Sequence, residues 1–389
     1  MKITFPYMGC VTAYKRLLEL MGHEVVMPEK PTQRTVDLGV LNSPEFICYP
    51  FKILMGTYIE ACEKGVEVIV SSGGRGPCRA GMYGEVHKRI LKQLGYDVHV
   101  IIFDSMFQNF KAFYKNLKLI KNKTPLIKLL KYVVFAYKMM LQMDKIDKEI
   151  NIRRAYEVNR DDFKKCREKI VALYDGCSTL NDLRRAKKAA WALMDAVPQK
   201  KVPEKDKLRI GIVGEIYVAM ESSTNMEMEK RLNALGAEVE NIQYVSDWVT
   251  HNLFPKWMHL SRSWTLLDKG KRYKGCQCGG HDMENTGAII DFAERGFDGV
   301  VHLMPFGCLP ELITRSIVPQ ITEDLGIPVL SVSLDEQQGE ANTQTRVEAF
   351  VDLCRSRKRS KDTELHIEPI AVLDNSKTEK QYEVGYKNA

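Results

Sequence analysis

The sequence has no uninterrupted apolar run near the roughly 20 residues that cross a bilayer. It opens on Met1-Lys-Ile-Thr-Phe-Pro-Tyr7, short, strand-like and soon polar, so no signal peptide is expected and the expected location is cytoplasmic. In a reducing compartment its ten cysteines do not read as a disulfide framework, and metal binding or thiol chemistry becomes the better expectation. A block of like charge is also missing. The net charge of +7 is spread out, and its densest part, Lys111 to Lys138, alternates lysines with Phe113, Tyr114, Leu117 and Leu130. That alternation describes the solvated face of amphipathic helices, so neither nucleic acid nor membrane is expected as a partner. Beside Cys276-Gln-Cys278 there is no second Cys-x-x-Cys pair of the kind a zinc site usually has. Gly211 and Gly214, near the end of the strand expected over Leu208–Tyr217, lack the full spaced-glycine fingerprint of a nucleotide fold.

What is present is a thiol placed twice in the same way. Val300-Val-His-Leu-Met-Pro-Phe-Gly-Cys308 starts as a buried strand, breaks at Pro305 to Gly307, and puts Cys308 where the next helix begins. Pro310 suits that helix's first turn and Glu311 its dipole. Helix amides there lower a thiol pKa, so Cys308 is expected to ionise easily and to serve as a nucleophile or a metal ligand. The competing reading is a small residue closing a strand-to-helix turn. Val66-Glu-Val-Ile-Val-Ser-Ser-Gly-Gly-Arg-Gly-Pro-Cys78 repeats the pattern. Each unit leads into a further strand, Val98 to Phe103 ending at Asp104 and Pro328 to Leu334 ending at Asp335. Ligands bind at the C-terminal ends of strands in open α/β sheets, so the two thiols point to one shared site. Cys48 likewise starts a helix that reaches Lys64-Gly65, whereas Cys62, Cys166, Cys177 and Cys354 sit in or beside helical patterns and are expected to be structural.

The expected fold is α/β, with two flavodoxin/Rossmann-like parallel-sheet lobes and a helical insertion between them. Residues 1–105 form the N-terminal lobe, 106–207 the helical insertion and linker, 208–354 the C-terminal lobe, and 355–389 a charged tail with a strand-like segment at Leu365–Leu373. The insertion, nearly free of glycine, offers helices over Pro125–Met143, Asp161–Tyr174 and Leu180–Met194. It is expected to brace the two lobes, the other reading being packing against a partner subunit. Between Met27 and Asn42 a polar loop is expected, and Trp248, Trp257 and Trp264 are assigned to core or interface. Cys276 and Cys278 with His281 offer two thiolates and an imidazole that suit zinc or the edge of an iron cluster. Asp335–Arg346 reads as a polar loop, followed by a helix over Val347–Leu353.

Six segments, in this order, carry a family resemblance: Ser43-Pro-Glu-Phe-Ile-Cys-Tyr-Pro-Phe-Lys52, Gly73-Gly-Arg-Gly-Pro-Cys-Arg79, Gly214-Glu-Ile-Tyr-Val218, Gly279-Gly-His281, Met304-Pro-Phe-Gly-Cys-Leu-Pro-Glu311 and Leu334-Asp-Glu-Gln-Gln338. From residue 1 to about 354 the chain resembles proteins related to the 2-hydroxyacyl-CoA dehydratase D component and the double-cubane cluster proteins, a group often labelled acyl-CoA dehydratase activase-related. The resemblance implies an iron-sulfur cluster, 4Fe-4S or double-cubane, held between lobes, with Cys48, Cys78 and Cys308 on the ligand positions. It also implies a separate ATP-hydrolysing iron-sulfur activase as electron donor, so no ATP site is expected in this chain. Three thiolates leave one iron of a cubane open to a substrate oxygen, a water or a bridging sulfide. Two departures bear on the ligand set: many relatives have a cysteine in place of Arg75, and they usually lack the Cys276 and Cys278 pair. The set has then either shifted, toward six thiols that include Cys10, Cys276 and Cys278, or the site is altered.

The expected function is that of a low-potential electron acceptor in anaerobic metabolism, with Arg75, His281, Glu311 and Glu336 lining the cleft as charge and proton partners. As a dehydratase it would pass one electron to an acyl-CoA substrate to make a transient ketyl radical and recover it after water leaves; as a reductase of small molecules it would consume the electron. The alternatives are a non-catalytic iron-sulfur carrier or activation and assembly factor for another metalloenzyme, and a plain thiol or zinc protein. A homodimer or heterodimer is expected from the resemblance.

Overall fold

The computed structural model describes residues 1–73, 78–103, 110–337 and 339–366. Arg75, Asp104, Gln338 and the 367–373 part of the expected tail strand lie outside the described residues.

The first lobe runs β1 (Lys2–Thr4), α1 (Val11–Leu20), β2 (Glu24–Val25), α2 (Gln33–Leu41), α3 (Tyr49–Glu63), β3 (Val68–Ser72), α4 (Tyr83–Gln93) and β4 (His99–Phe103). Its strands pair only in parallel, in the order β2-β1-β3-β4. The apolar runs Val68-Ile-Val and Val100-Ile-Ile have helices to bury them, as parallel sheets demand. α2 replaces the expected polar loop. It is started by a capping box in which Thr32 N–H donates to Thr35 Oγ1 at 3.0 Å. A side chain on Gly39 would strike the Lys52 carbonyl and one on Gly56 the Thr35 carbonyl, so the two glycines let α2 and α3 touch backbone to backbone.

Next come α5 (Phe110–Ile120), α6 (Leu126–Arg153), α7 (Asp162–Asp175) and α8 (Leu180–Asp195). α6 continues ten residues beyond the expected end at Met143 and ties the lobes together. Toward the first, Met139 and Met143 share a buried cluster with Cys10 and Ala13. Toward the second, Asp144 Oδ2 accepts from Ser246 N–H at 2.9 Å, Lys148 pairs with Asp247 at 2.8 Å, and Asn233 donates to the Asn151 carbonyl at 2.7 Å.

The second lobe contains β5 (Leu208–Gly214), α9 (Ile216–Met220), α10 (Met228–Ala234), β6 (Ala237–Asn241), α11 (Val245–Leu253), α12 (Arg262–Gly270), α13 (Asp282–Glu294), β7 (Gly299–Pro305), α14 (Leu309–Leu325), β8 (Val329–Leu334) and α15 (Glu340–His366). Its sheet, β6-β5-β7-β8, is again all parallel and has the winding of the first. The fold class is therefore α/β with two parallel-sheet lobes. α15 does not stop at Leu353 but continues to His366, with Val347, Phe350, Val351 and Cys354 buried in the lobe's core. Two tryptophans assigned to core or interface are exposed, Trp248 and Trp257; Trp264 is half-buried against His251, ring centroids 4.2 Å apart. No helix among the described residues is long and apolar enough to cross a membrane.

Candidate functional site

Each sheet reverses its strand order between a first and a third strand, β1 and β3 in one lobe and β5 and β7 in the other, the place where open α/β sheets take ligands. Cys78 follows β3 and Cys308 follows β7, while Cys48 precedes α3. All three cap helices. Cys48 caps α3, Cys308 caps α14, and Cys78 caps the short 3-10 turn Arg79–Met82 that feeds α4, each with extended backbone. Pro50 and Pro310 occupy first turns, where a missing N–H costs no helix bond. The three thiols line one cavity of about 210 Å³ together with Arg79, Tyr83, Glu215 and Leu309. A buried cavity of roughly 150 Å³ already takes benzene, so this one has room for a polyatomic group. Among the described residues no three His, Cys, Asp or Glu side chains group to hold a metal ion; the thiols surround a space instead of converging on a point.

Burial, with local charge second, corrects the expectation of a readily ionised Cys308. Burial pushes that thiol far above its ordinary pKa, Glu311 and Glu215 push it further, and the opposing backbone N–H of Glu311 is outweighed. Burial also raises the Cys78 thiol, against a lowering contribution from the Ala80 N–H. Tyr83 is raised by burial and then by Cys48. Glu215, which caps α9 by accepting from the N–H groups of Tyr217 and Val218 at 3.0 Å each, is pushed up to about 7 by burial, with Glu311 adding to the rise. The cavity thus disfavours thiolates on their own. A bound cation reverses that preference, because a coordinating thiol is deprotonated outright.

Arg79 holds the cysteine loops together: Nη1 donates to the Phe46 carbonyl at 2.7 Å and Nη2 to the Gly307 carbonyl at 2.6 Å. Gly280, at φ +56°, packs over Pro310; a Cβ on it would sit 2.9 Å from Pro310 Cγ and 3.9 Å from Cys78 Sγ. Glu311 does not face the cleft as expected. It is buried, with Oε2 2.7 Å from His302 Nε2 and both oxygens accepting from Asn285 Nδ2 at 3.0 and 2.9 Å. Asn285 Oδ1 in turn accepts from Gly214 N–H at 3.2 Å, so Glu311 locks the ends of β5 and β7 to α13 and α14.

The other sequence candidates lie elsewhere. Glu336 pairs with the buried Lys52 at 2.6 Å, and His281 caps α13 with Nε2 4.0 Å from Glu284. Cys276 is exposed and Cys278 half-buried in the loop before α13, and neither lines the cavity. Cys10 is buried in the helical layer, Sγ 3.4 Å from Met143 Sδ, and its thiol is raised by burial. Arg79, Tyr83 and Glu215 were not singled out from sequence. Arg79 and Glu215 do fall inside recognised segments, Gly73–Arg79 and Gly214–Val218, which was the available signal.

Two family models match the chain. One, described as the CoA enzyme activase uncharacterised domain, covers residues 3–245. The other, 2-hydroxyglutaryl-CoA dehydratase, D-component, covers residues 138–353. No curated protein matches it.

Proposed function

The chain belongs to the 2-hydroxyglutaryl-CoA dehydratase D-component family, and from that membership we propose that it is a component whose Cys48, Cys78 and Cys308 hold an iron-sulfur cluster. At the coarser level it is a 2-hydroxyacyl-CoA dehydratase-like component. The observation that carries the finer reading is the meeting of three thiols, from three separate helix caps in two lobes, around one cavity. The donor set fits the group: thiolates are the ligands of such clusters, and thiols around a space can each serve a different iron. When bound, a 4Fe-4S cluster supplies single low-potential electrons, and three thiolates leave one iron open.

The chain's own residues prepare the place. The N-termini of α3 and α14 direct partial positive charge at the sulfurs of Cys48 and Cys308, which offsets part of the burial cost of an anionic assembly. Arg79 fixes the Cys48 loop against the Cys308 loop. Pro50, Leu309 and Pro310 line the cavity and keep water from part of it, while the Glu215 carboxyl stands in its wall, oriented by two backbone N–H groups. The electrons come from an ATP-hydrolysing iron-sulfur activase, a partner supported by the CoA enzyme activase match, and are used on an acyl-CoA or similar small molecule, the chain working as a homodimer or heterodimer. A double-cubane form would need thiols beyond these three; Cys276 and Cys278 sit in the loop whose Gly280 packs against Pro310 of the cavity wall, while Cys10 lies in the helical layer.

Anaerobic mixing of the reconstituted chain with a reduced activase of this family, followed by EPR, tests electron acceptance. The reading predicts a new reduced-cluster signal on this chain that requires ATP. A signal of equal size without ATP, or none with it, contradicts the electron-acceptor role.

A further inference from the structure

From residue 105 to 143 the chain has eight lysines and neither an acidic residue nor an arginine. From Phe110 on it forms α5 and the first half of α6, which share a buried cluster through Ile120 and Leu129. α6 is apolar on two sides there. Leu129, Phe135 and Met139 point into the protein, while Ile127, Leu130 and Val134 form an outward stripe at helical spacing, Ile127 being 75% and Leu130 65% exposed. Phe110 and Tyr114 of α5 are exposed as well, their rings stacked 6.2 Å apart. Exposed apolar residues in such continuity mark an interaction surface. The lysines around them, among them Lys111, Lys115, Lys128 and Lys131, are exposed, and among the described residues none of the eight is ion-paired.

Charge decides the occupant. A second copy would bring eight uncompensated lysines against eight. Protein interfaces are depleted in lysine and enriched in arginine, the reverse of this face. Aliphatic and aromatic residues flanked by lysine are the composition of helices that lie in the surface of an anionic bilayer. We propose that α5 and the N-terminal half of α6 dock on an anionic phospholipid surface, lying along it without crossing, since no described helix is long and apolar enough to span. The outward placement of Ile127 and Leu130 is what revises the expectation of a merely solvated face. The proposal is independent of the iron-sulfur reading, because none of these residues lines the cavity.

Flotation of the full chain with phosphatidylcholine vesicles, with and without about 30% phosphatidylglycerol, tests it. The expected result is co-flotation only with the anionic vesicles, and release in about 0.5 M salt, where screening shortens the reach of each charge to a few ångström. Leu130→Glu with Ile127→Glu should abolish binding, and Lys128→Glu with Lys131→Glu should weaken it at least tenfold, with unchanged circular dichroism and iron content. Failure to bind anionic vesicles, or equal binding to neutral ones, overturns the proposal. So does a change in oligomeric state of Leu130→Glu without vesicle binding by the parent chain, which would make the face a self-interface.

Discussion

His87 lies flat on Phe51, ring centroids 3.9 Å apart, with Nε2 3.1 Å from the Phe51 carbonyl and Nδ1 buried with no partner among the described residues. Burial lowers its pKa to about 4, against an ordinary value near 6.5, so the folded chain holds the ring neutral. The unfolded chain therefore binds this proton first as pH falls. The stability linked to His87 is fully present above about pH 6.5 and is lost as pH falls toward 4, up to about 3 kcal/mol. Urea unfolding at pH 7 and at pH 4.5 should show this loss in the parent chain and a smaller one in His87→Phe; equal losses would remove His87 as the cause. The same physics explains the error over Cys308. Its helix-capping position was legible from Gly307, Pro310 and Glu311, but the depth of the site was not, and burial with two carboxylates outweighs one backbone amide. Spacing also showed Glu311 three residues after the thiol, without showing that His302 and Asn285 would turn it inward.

At the scale of elements, the caps were readable because they are local. Cys78 and Cys308 each stand at a break between a strand and a helical pattern, Cys48 stands at the start of a helical pattern, and the structure puts a helix or 3-10 turn directly after each. What escaped depends on contacts from elsewhere. α2 looked polar because its capping box uses Thr32 and Thr35, and its packing relies on a glycine contact with α3. β6 was not identified, being only five residues, Ala-Glu-Val-Glu-Asn, at a sheet edge. Arg79 and Glu215 acquire meaning only once two lobes meet. The loop carrying Gly280 gives the sharpest test at this scale. Gly280→Ala combines a left-handed backbone with a Cβ 2.9 Å from the rigid Pro310 ring, and should cost about 1–2 kcal/mol. Because Pro310 lines the cavity two residues after Cys308, displacing it should make the same variant bind less iron; normal stability and iron content would show that the loop yields freely.

For the whole molecule, two sheets of the same winding put their switch points within reach of one another, and α6 keeps them so through Asp144, Lys148 and Asn151. Away from the cavity lining the lobes are also joined by Lys52 and Glu336. Lys52 is buried whereas Glu336 keeps part of its surface in water. Glu336→Ala strands a buried ammonium and should cost about 2–3 kcal/mol, more than Lys52→Met, which leaves a carboxylate that water can reach. Thermal melts of the two variants rank them; the opposite order would mean that Lys52 is not held by Glu336 alone. The parallel lobes and their strand-end thiols were legible because hydrophobic runs and helix breaks recur in sequence, whereas the lobe-to-lobe pairings join residues up to 284 positions apart.

The central claim is that Cys48, Cys78 and Cys308 jointly hold a cluster. The most direct test is iron and acid-labile sulfide per chain after anaerobic reconstitution, for the parent and for Cys308→Ala. The account predicts about four of each in the parent, or about eight if Cys10, Cys276 and Cys278 also serve, and a large loss in the variant. A parent chain that takes up no iron, or a variant that retains the parent's full complement, would contradict it.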